Sequence, residues 1–438
     1  MAVAERLTHS VLARRAAGGE RGRSASSPAD ELITVRAPGE AALPKRRGGR
    51  ARDRVAELTA LIAELLCGHA TVDALAYRKS LEARASASVK ALANDLACYA
   101  AWCARVRGPG LPASEARVVG YLEDCESRAL KPATVNRRLA SLAVAHALIG
   151  VPSPTSGVVV RDAVRGMRRR MGVRQRQAGP LRFGAGIGIE AAKGFTLSAL
   201  LEACPATPAG LRDAALLSLA YDTGLRVSEL VAVRCEAIEP ADDGSAVLEV
   251  PRSKTDQEGQ GAYAWLSPDT VRRLVQWQRE AGIATGPVFR RIGVRRTRAR
   301  AGQNERARPA PPGFVWRLPA DMARIPAIPA RLAETTFIVG ETALTPAAVR
   351  LIIKRTARRA AQAGLVALFG SELDAAIAAL STHSLRVGLT QDLFASGEDA
   401  GPIAQALRWT STSTALRYGR KLAPASNATA RMLRKVRG

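Results

Sequence analysis

The sequence predicts a mainly α protein with a small antiparallel sheet (α+β), divided into two domains. Apolar residues recur at helical spacing through most of residues 54–148. Strand-like alternation is confined to A-V-L-E-V-P-R-S-K-T and A-Y-A-W-L-S, on either side of a loop. A glycine-rich stretch from Gly179 to Gly194 reads as a linker between two apolar-rich regions. With 438 residues and 47% hydrophobic content, the chain has material for roughly two to three domains.

Residues 1–53 are poor in aromatics and rich in Gly, Arg, Pro and Ser, which predicts a disordered basic arm ending in K-R-R-G-G-R-A-R-D-R. Helical spacing of Val55, Leu58, Leu61, Ile62 and Leu65 opens a helical domain over 54–180. Ser88 starts a helix whose stripe is Leu92, Leu96, Tyr99 and Trp102. Pro109, Gly110 and Pro112 break the chain before helices over 114–127 and 131–148, the second turning Leu139, Leu142 and Ala143 inward. His146 reads as a helix-face residue without chemistry.

The second domain is expected over 195–424. It starts with helices at 196–204, 210–222 and 226–234, the last two joined by a turn at Gly224. The sheet follows, with Lys254 at the end of its first strand. Residues 290–330, rich in Arg and Pro, read as an extended basic insertion with no fold of its own. Thr345 caps a helix with Pro346 at its first position, Val349, Leu351 and Ile352 supplying the buried side. Further helices are expected from Thr382 to Gly397, from Pro402 to Trp409, and after Ser411 or Ser413, the last bearing Tyr418. Residues 425–438 can form a terminal helix with Met432, Leu433 and Val436 along one edge.

The charge is lopsided: 65 Lys+Arg against 39 Asp+Glu give a formal net charge of +26. A GC-rich genome would explain part of the arginine content but not the missing acidic balance. The excess points to a polyanionic partner, nucleic acid first. No G-x-x-x-x-G-K-[ST] loop is present, and G-A-G-I-G-I at 184–189 lacks a preceding strand and a proper following helix. The six cysteines form no C-x-x-C pair and the four histidines no ligand cluster, so the cysteines read as small buried apolar residues in a reducing compartment. No apolar run is long enough for a membrane span, and Glu5 and Glu20 argue against a transit peptide. The expected location is the cytoplasm, associated with a bacterial nucleoid.

The chemistry concentrates in H-S-L-R-V-G at 383–388, in T-G-L-R-V-S-E-L at 223–230, and in Tyr418, the only tyrosine beyond residue 263. Cleaving a phosphodiester by a protein hydroxyl needs a nucleophile, cationic clamps and proton handling. Arg226 and Arg386 can each offer forked donors to non-bridging oxygens. Tyr418 can attack phosphorus and store the bond covalently, and His383 can hold its proton. Lys254 can protonate the leaving oxygen, Trp409 can donate one indole N–H, and Glu229 can orient Arg226 or His383. Each residue alone reads as structural; their order and spacing together do not.

T-G-L-R-V-S-E-L, S-K-T, H-S-L-R-V-G and W-T-S-T-S-T-A-L-R-Y together resemble the tyrosine recombinase (phage integrase) family across about residues 70–437. Trp409, H-S-x-R-V-G and Y-G-R-K-L resemble its Cre-like branch most; most family members have histidine where Trp409 stands. The resemblance implies a two-domain clamp on duplex DNA, with a helical core-binding domain and a tyrosine-recombinase catalytic domain. It implies Arg226 and Arg386 as catalytic arginines, Glu229 as the acidic position, Lys254 as the sheet lysine, and His383, Trp409 and the nucleophile Tyr418 beside them. It further implies a 3′-phosphotyrosine intermediate, no required metal or cofactor, a Holliday junction, inverted-repeat DNA sites, and a homotetramer linked by exchange of the 425–438 helix. Helix 345–360 resembles the family's major-groove reader, with Ala347, Arg350 and Lys354 as contacts. From the helical domain, Lys90, Asn136, Arg137 and Arg138 are the corresponding candidates. The alternatives are a type IB topoisomerase-like enzyme and a catalytically silent DNA-binding protein.

Overall fold

The computed structural model describes residues 31–41, 43, 53–66, 72, 74–174, 177–184, 194–251, 261–310, 312–315, 317–319, 322–419 and 428–437. It divides into a helical unit over 46–177 and a larger unit formed by 1–45 with 178–438.

The helical unit comprises α1 (Arg54–Leu65), α2 (Ala74–Glu82), α3 (Ser86–Arg105), α4 (Glu115–Ser127), α5 (Pro132–Leu148) and α6 (Val158–Met171). Its caps are legible in the sequence. Asp53 accepts from the backbone N–H groups of Val55 and Ala56, and Ser114 from that of Arg117. Leu92, Leu96, Tyr99 and Trp102 of α3 are buried as their spacing predicts. Tyr99, Trp102 and Tyr121 pack ring against ring at 5.1–5.8 Å between centroids. His146 is fully buried; its Nε2 accepts from the Ala113 N–H and its Nδ1 pairs with the Leu142 carbonyl, so it braces the loop before α4.

The larger unit contains β1 (Glu31–Arg36), α7 (Leu197–Glu202), α8 (Pro208–Thr223), α9 (Val227–Ala232), β2 (Ile238–Pro240), β3 (Ala246–Val250), β4 (Ala262–Leu266) and α10 (Pro268–Ala281). It continues with β5 (Arg290–Thr297), β6 (Arg306–Ala307), β7 (Arg324–Ile325), β8 (Ala333–Ala343), α11 (Pro346–Gln362), α12 (Gly370–Ala379), α13 (Ser384–Ala395), α14 (Ala400–Ala406), α15 (Thr412–Gly419) and α16 (Ala428–Arg437). The expected antiparallel sheet is β2-β3-β4, with Val247 opposite Trp265. Helix α8 is buried almost all round and forms the unit's centre.

Several expectations are corrected. The arm assigned to 1–53 is not disordered throughout: β1 pairs in parallel with β8, Glu31 opposite Ala333. A short strand whose partner lies so far along the chain has no local signature. The 290–330 insertion likewise begins in regular structure, because β5 pairs antiparallel with β8. Its Arg- and Pro-rich run lacks periodicity, yet strand pairing uses backbone groups and charged side chains suit an exposed sheet. The linker starting at Gly179 is partly core. Leu181 is fully buried, and its N–H donates to the Ser384 carbonyl. Gly388, in H-S-L-R-V-G, makes room for this passage: a Cβ there would lie 1.8 Å from the Leu181 carbonyl oxygen. Asp392 then clamps the segment, accepting from Arg182, the Phe183 N–H and the Tyr221 hydroxyl. Leu351, assigned to the buried side of α11, is 68% exposed; Val349, Ile352 and Ile353 fill that side. The expectations for 184–189 fall largely outside the described residues.

Candidate active site

Two turns and two helix starts bring distant residues together. Helix α8 ends at Gly224, whose left-handed φ of 54° turns the chain directly into α9. Arg226 stands at the N-cap of α9, with Glu229 at the third helical position. The Glu229 carboxylate accepts from the Arg226 backbone N–H at 3.0 Å and from Arg226 Nη1 at 2.9 Å. One buried acidic side chain therefore caps the helix and aims the guanidinium.

His383 is the N-cap of α13 and Arg386 lies one turn in. Arg386 is 2% exposed. Its Nη1 donates to the Gly224 carbonyl at 2.5 Å and its Nη2 to the Leu407 carbonyl. It thereby ties α13 to the α8–α9 turn and to the end of α14. Burial, then the neighbouring charges of Arg226 and Arg408, bring the Arg386 pKa down to about 10, so it stays cationic at neutral pH.

Tyr418 sits on α15, and its hydroxyl lies 2.5 Å from His383 Nε2. Its ring stacks on Trp409, with centroids 5.2 Å apart and planes 7° apart. Trp409 also meets Arg386, whose Cζ lies 4.9 Å from the indole centroid. His383 is pulled down to about 4, first by burial and then by the charges of Arg386 and Arg226, so it is neutral at pH 7.

Six of the seven candidate site residues thus form one cluster: Arg226, Glu229, His383, Arg386, Trp409 and Tyr418. The seventh, Lys254, lies outside the described residues. Sequence reasoning missed Arg408, whose guanidinium approaches Glu229 at 4.0 Å and donates to the Thr223 carbonyl at 3.1 Å. Its only sequence signal was its place beside Trp409. Among the described residues no group of three or more His, Cys, Asp or Glu could hold a metal ion, and no helix is long and apolar enough to cross a membrane.

The other candidates divide. Lys90, Asn136, Ala347 and Arg350 are exposed, and Lys354 is partly so. Arg137 is half-exposed and pairs with Asp95 at 2.6 Å. Arg138 is corrected: it is buried, with Nη1 on the Tyr121 hydroxyl and the Cys125 sulfur and Nη2 on the Cys98 sulfur. Adjacent positions on a helix point in different directions, and the run N-R-R did not say which arginine faces the core.

The phage integrase family matches this chain over residues 193–285. An integrase/recombinase xerD homolog of Selenomonas ruminantium is 30% identical over 227 residues, covering 50% of this chain and 63% of that protein. The recombinase cre of Escherichia phage P1 is 24% identical over 352 residues, 78% of this chain and 87% of its own length. A solved XerH site-specific recombinase, in a post-cleavage complex with its palindromic difH substrate, is 12% identical at a TM-score of 0.48, covering 87% of this chain and 90% of that one. The family match takes in Arg226 and Glu229, and with the two recombinase relatives it makes this chain similar to the phage integrase family.

Proposed function

We propose that this protein is a site-specific DNA recombinase that cleaves and rejoins duplex DNA through a 3′-phosphotyrosine intermediate and a Holliday junction. The observation that carries the reading is the 2.5 Å contact between His383 and Tyr418 beside two guanidiniums. Arg226 and Arg386 hold the non-bridging oxygens of the scissile phosphate. Tyr418 Oη bonds to phosphorus as the bond to the 5′ oxygen breaks. The phenolic proton passes to His383, and the departing 5′ oxygen takes a proton from Lys254. The bound phosphate offsets the guanidinium charges that depress His383, raising its basicity as the nucleophile needs it. Reversal with a different 5′ hydroxyl rejoins the strand, and the conserved bond energy makes ATP unnecessary.

Duplex DNA fits the net charge of +26. Ala347 and Arg350 on the exposed face of α11, flanked by Lys354, are the proposed base-edge and phosphate contacts, Arg350 suiting guanine. In the helical unit Lys90, Asn136 and Arg137 take that role. Exchange of α16 between four protomers on inverted-repeat sites is supported by its exposed Met432 and Val436. An action on chromosomal DNA would place the protein at a bacterial nucleoid.

Covalent capture tests this reading. Wild-type protein incubated with a randomised pool of nicked duplexes is expected to trap a DNA adduct from which the site can be read. Two site-bearing plasmids should then exchange partners; relaxation of supercoils without exchange would indicate a topoisomerase instead. Absence of any adduct would leave only DNA binding.

A further inference from the structure

Arg408 occupies a backbone position that suits glycine. Its φ is 54°, in the left-handed region where a side chain crowds the backbone. This kink lets the chain leave α14 and present Trp409 to Tyr418. A glycine would make the turn more easily, yet an arginine stands here, and its side chain is only 10% exposed.

The surroundings of that guanidinium are those of the reaction centre. Nη2 donates to the carbonyl of Thr223, the last residue of α8 before the turn that leads to Arg226. The same nitrogen lies 4.0 Å from Glu229, the carboxylate that aims Arg226. After burial and Arg226, the charge of Arg408 also lowers the Arg386 pKa. Nε and Nη1 are buried, and among the described residues they have no hydrogen-bond partner. Burying a cation beside two others is costly unless something anionic completes the site.

Charge counting indicates what that anion is, taking the strand-transfer reading as given. Attack by the phenolate of Tyr418 on a singly charged phosphodiester creates a pentacoordinate phosphorus group bearing two negative charges. Among the groups that keep their charge throughout, Arg226 and Arg386 set against Glu229 leave one net positive charge, while the charges of Lys254 and protonated His383 are committed to the protons they transfer. Adding Arg408 makes it two, which matches.

We propose that Arg408 is a third guanidinium of the strand-transfer site, a positioning residue that steadies Arg226 through Glu229 and supplies the second net positive charge facing the phosphate. It acts mainly on the rate of the chemical step and little on DNA binding.

The test uses the full chain and a nicked duplex captured by the wild-type protein from a randomised pool. Single-turnover adduct formation is measured at saturating DNA for wild type, R408G and R408K. Each is tried on the natural phosphodiester and on a duplex with an uncharged methylphosphonate at the scissile position. R408G, whose backbone suits the kink, is expected to react about 10²-fold more slowly on the phosphodiester, with DNA affinity unchanged. R408K, with a charge but no fork, recovers part of the rate. On the methylphosphonate the R408G deficit shrinks to a few-fold, because the charge it would offset is gone. An R408G rate within about twofold of wild type overturns the proposal. So does an equal deficit on both substrates, since a packing defect does not sense phosphate charge. A wild-type protein that captures no duplex overturns this inference together with the reading beneath it, whereas wild-type capture with an indifferent R408G overturns this inference alone.

Discussion

His383 Nε2 and Tyr418 Oη meet at 2.5 Å although 35 residues separate them in the chain. The contact joins the first residue before α13 to the last turn of α15, and it forms within a single chain. On the strand-transfer reading proposed above, this contact aligns the nucleophile with its proton acceptor before DNA binds.

Tyr418→Phe is expected to abolish covalent capture of nicked DNA while leaving equilibrium binding within about twofold, since only the nucleophilic oxygen is lost. Denaturing gels of the trapped complex, beside binding titrations of the same variant, provide the check. Residual adduct would mean another nucleophile.

His383 makes stability depend on pH. Its folded pKa lies near 4, against 6.5 for the free side chain. Below pH 6.5 the unfolded chain takes up a proton that the folded site refuses. Its contribution to stability is therefore fully present above 6.5 and is lost as pH falls towards 4, roughly 3 kcal/mol in all. Melting curves between pH 4 and 7 should show this slope in wild type and a shallower one in His383→Gln. Parallel profiles would show that His383 titrates normally.

Glu229→Gln keeps an acceptor for the Arg226 N–H but removes the charge that aims its guanidinium. The expected cost is about 1–2 kcal/mol of stability and a fall of roughly 10- to 10²-fold in adduct formation. Denaturant titration and single-turnover kinetics measure the two effects separately. Loss of stability with full activity would mean that Glu229 serves the fold alone.

Two arginines of the expected DNA-contact set should behave oppositely. Arg138→Met removes a buried cation and should lower stability by about 1–3 kcal/mol without changing how DNA affinity depends on salt. Arg350→Ala should leave stability unchanged and reduce the slope of log K against log salt by about 1 if it contacts phosphate. Affinity titrations at a series of salt concentrations distinguish them.

Much of the fold was legible because its signals are local. The α3 stripe, the Thr345 cap, Pro346 at the start of α11 and the alternation in β3 and β4 each depend on residues a few positions apart. The β1–β8 pairing and the buried passage of Leu181 past Gly388 were not legible, since their partners lie far off in sequence.

At the site, the sequence by itself determined the chemical inventory: a tyrosine, a histidine, two arginines and a carboxylate in motifs whose order is informative. Tertiary structure alone decided which groups meet and in what electrical setting. Arg138 turned inward, Arg408 joined the cluster unannounced, and His383 lost its proton affinity. Burial and charge act through space, and the chain reveals that distance only after it has folded.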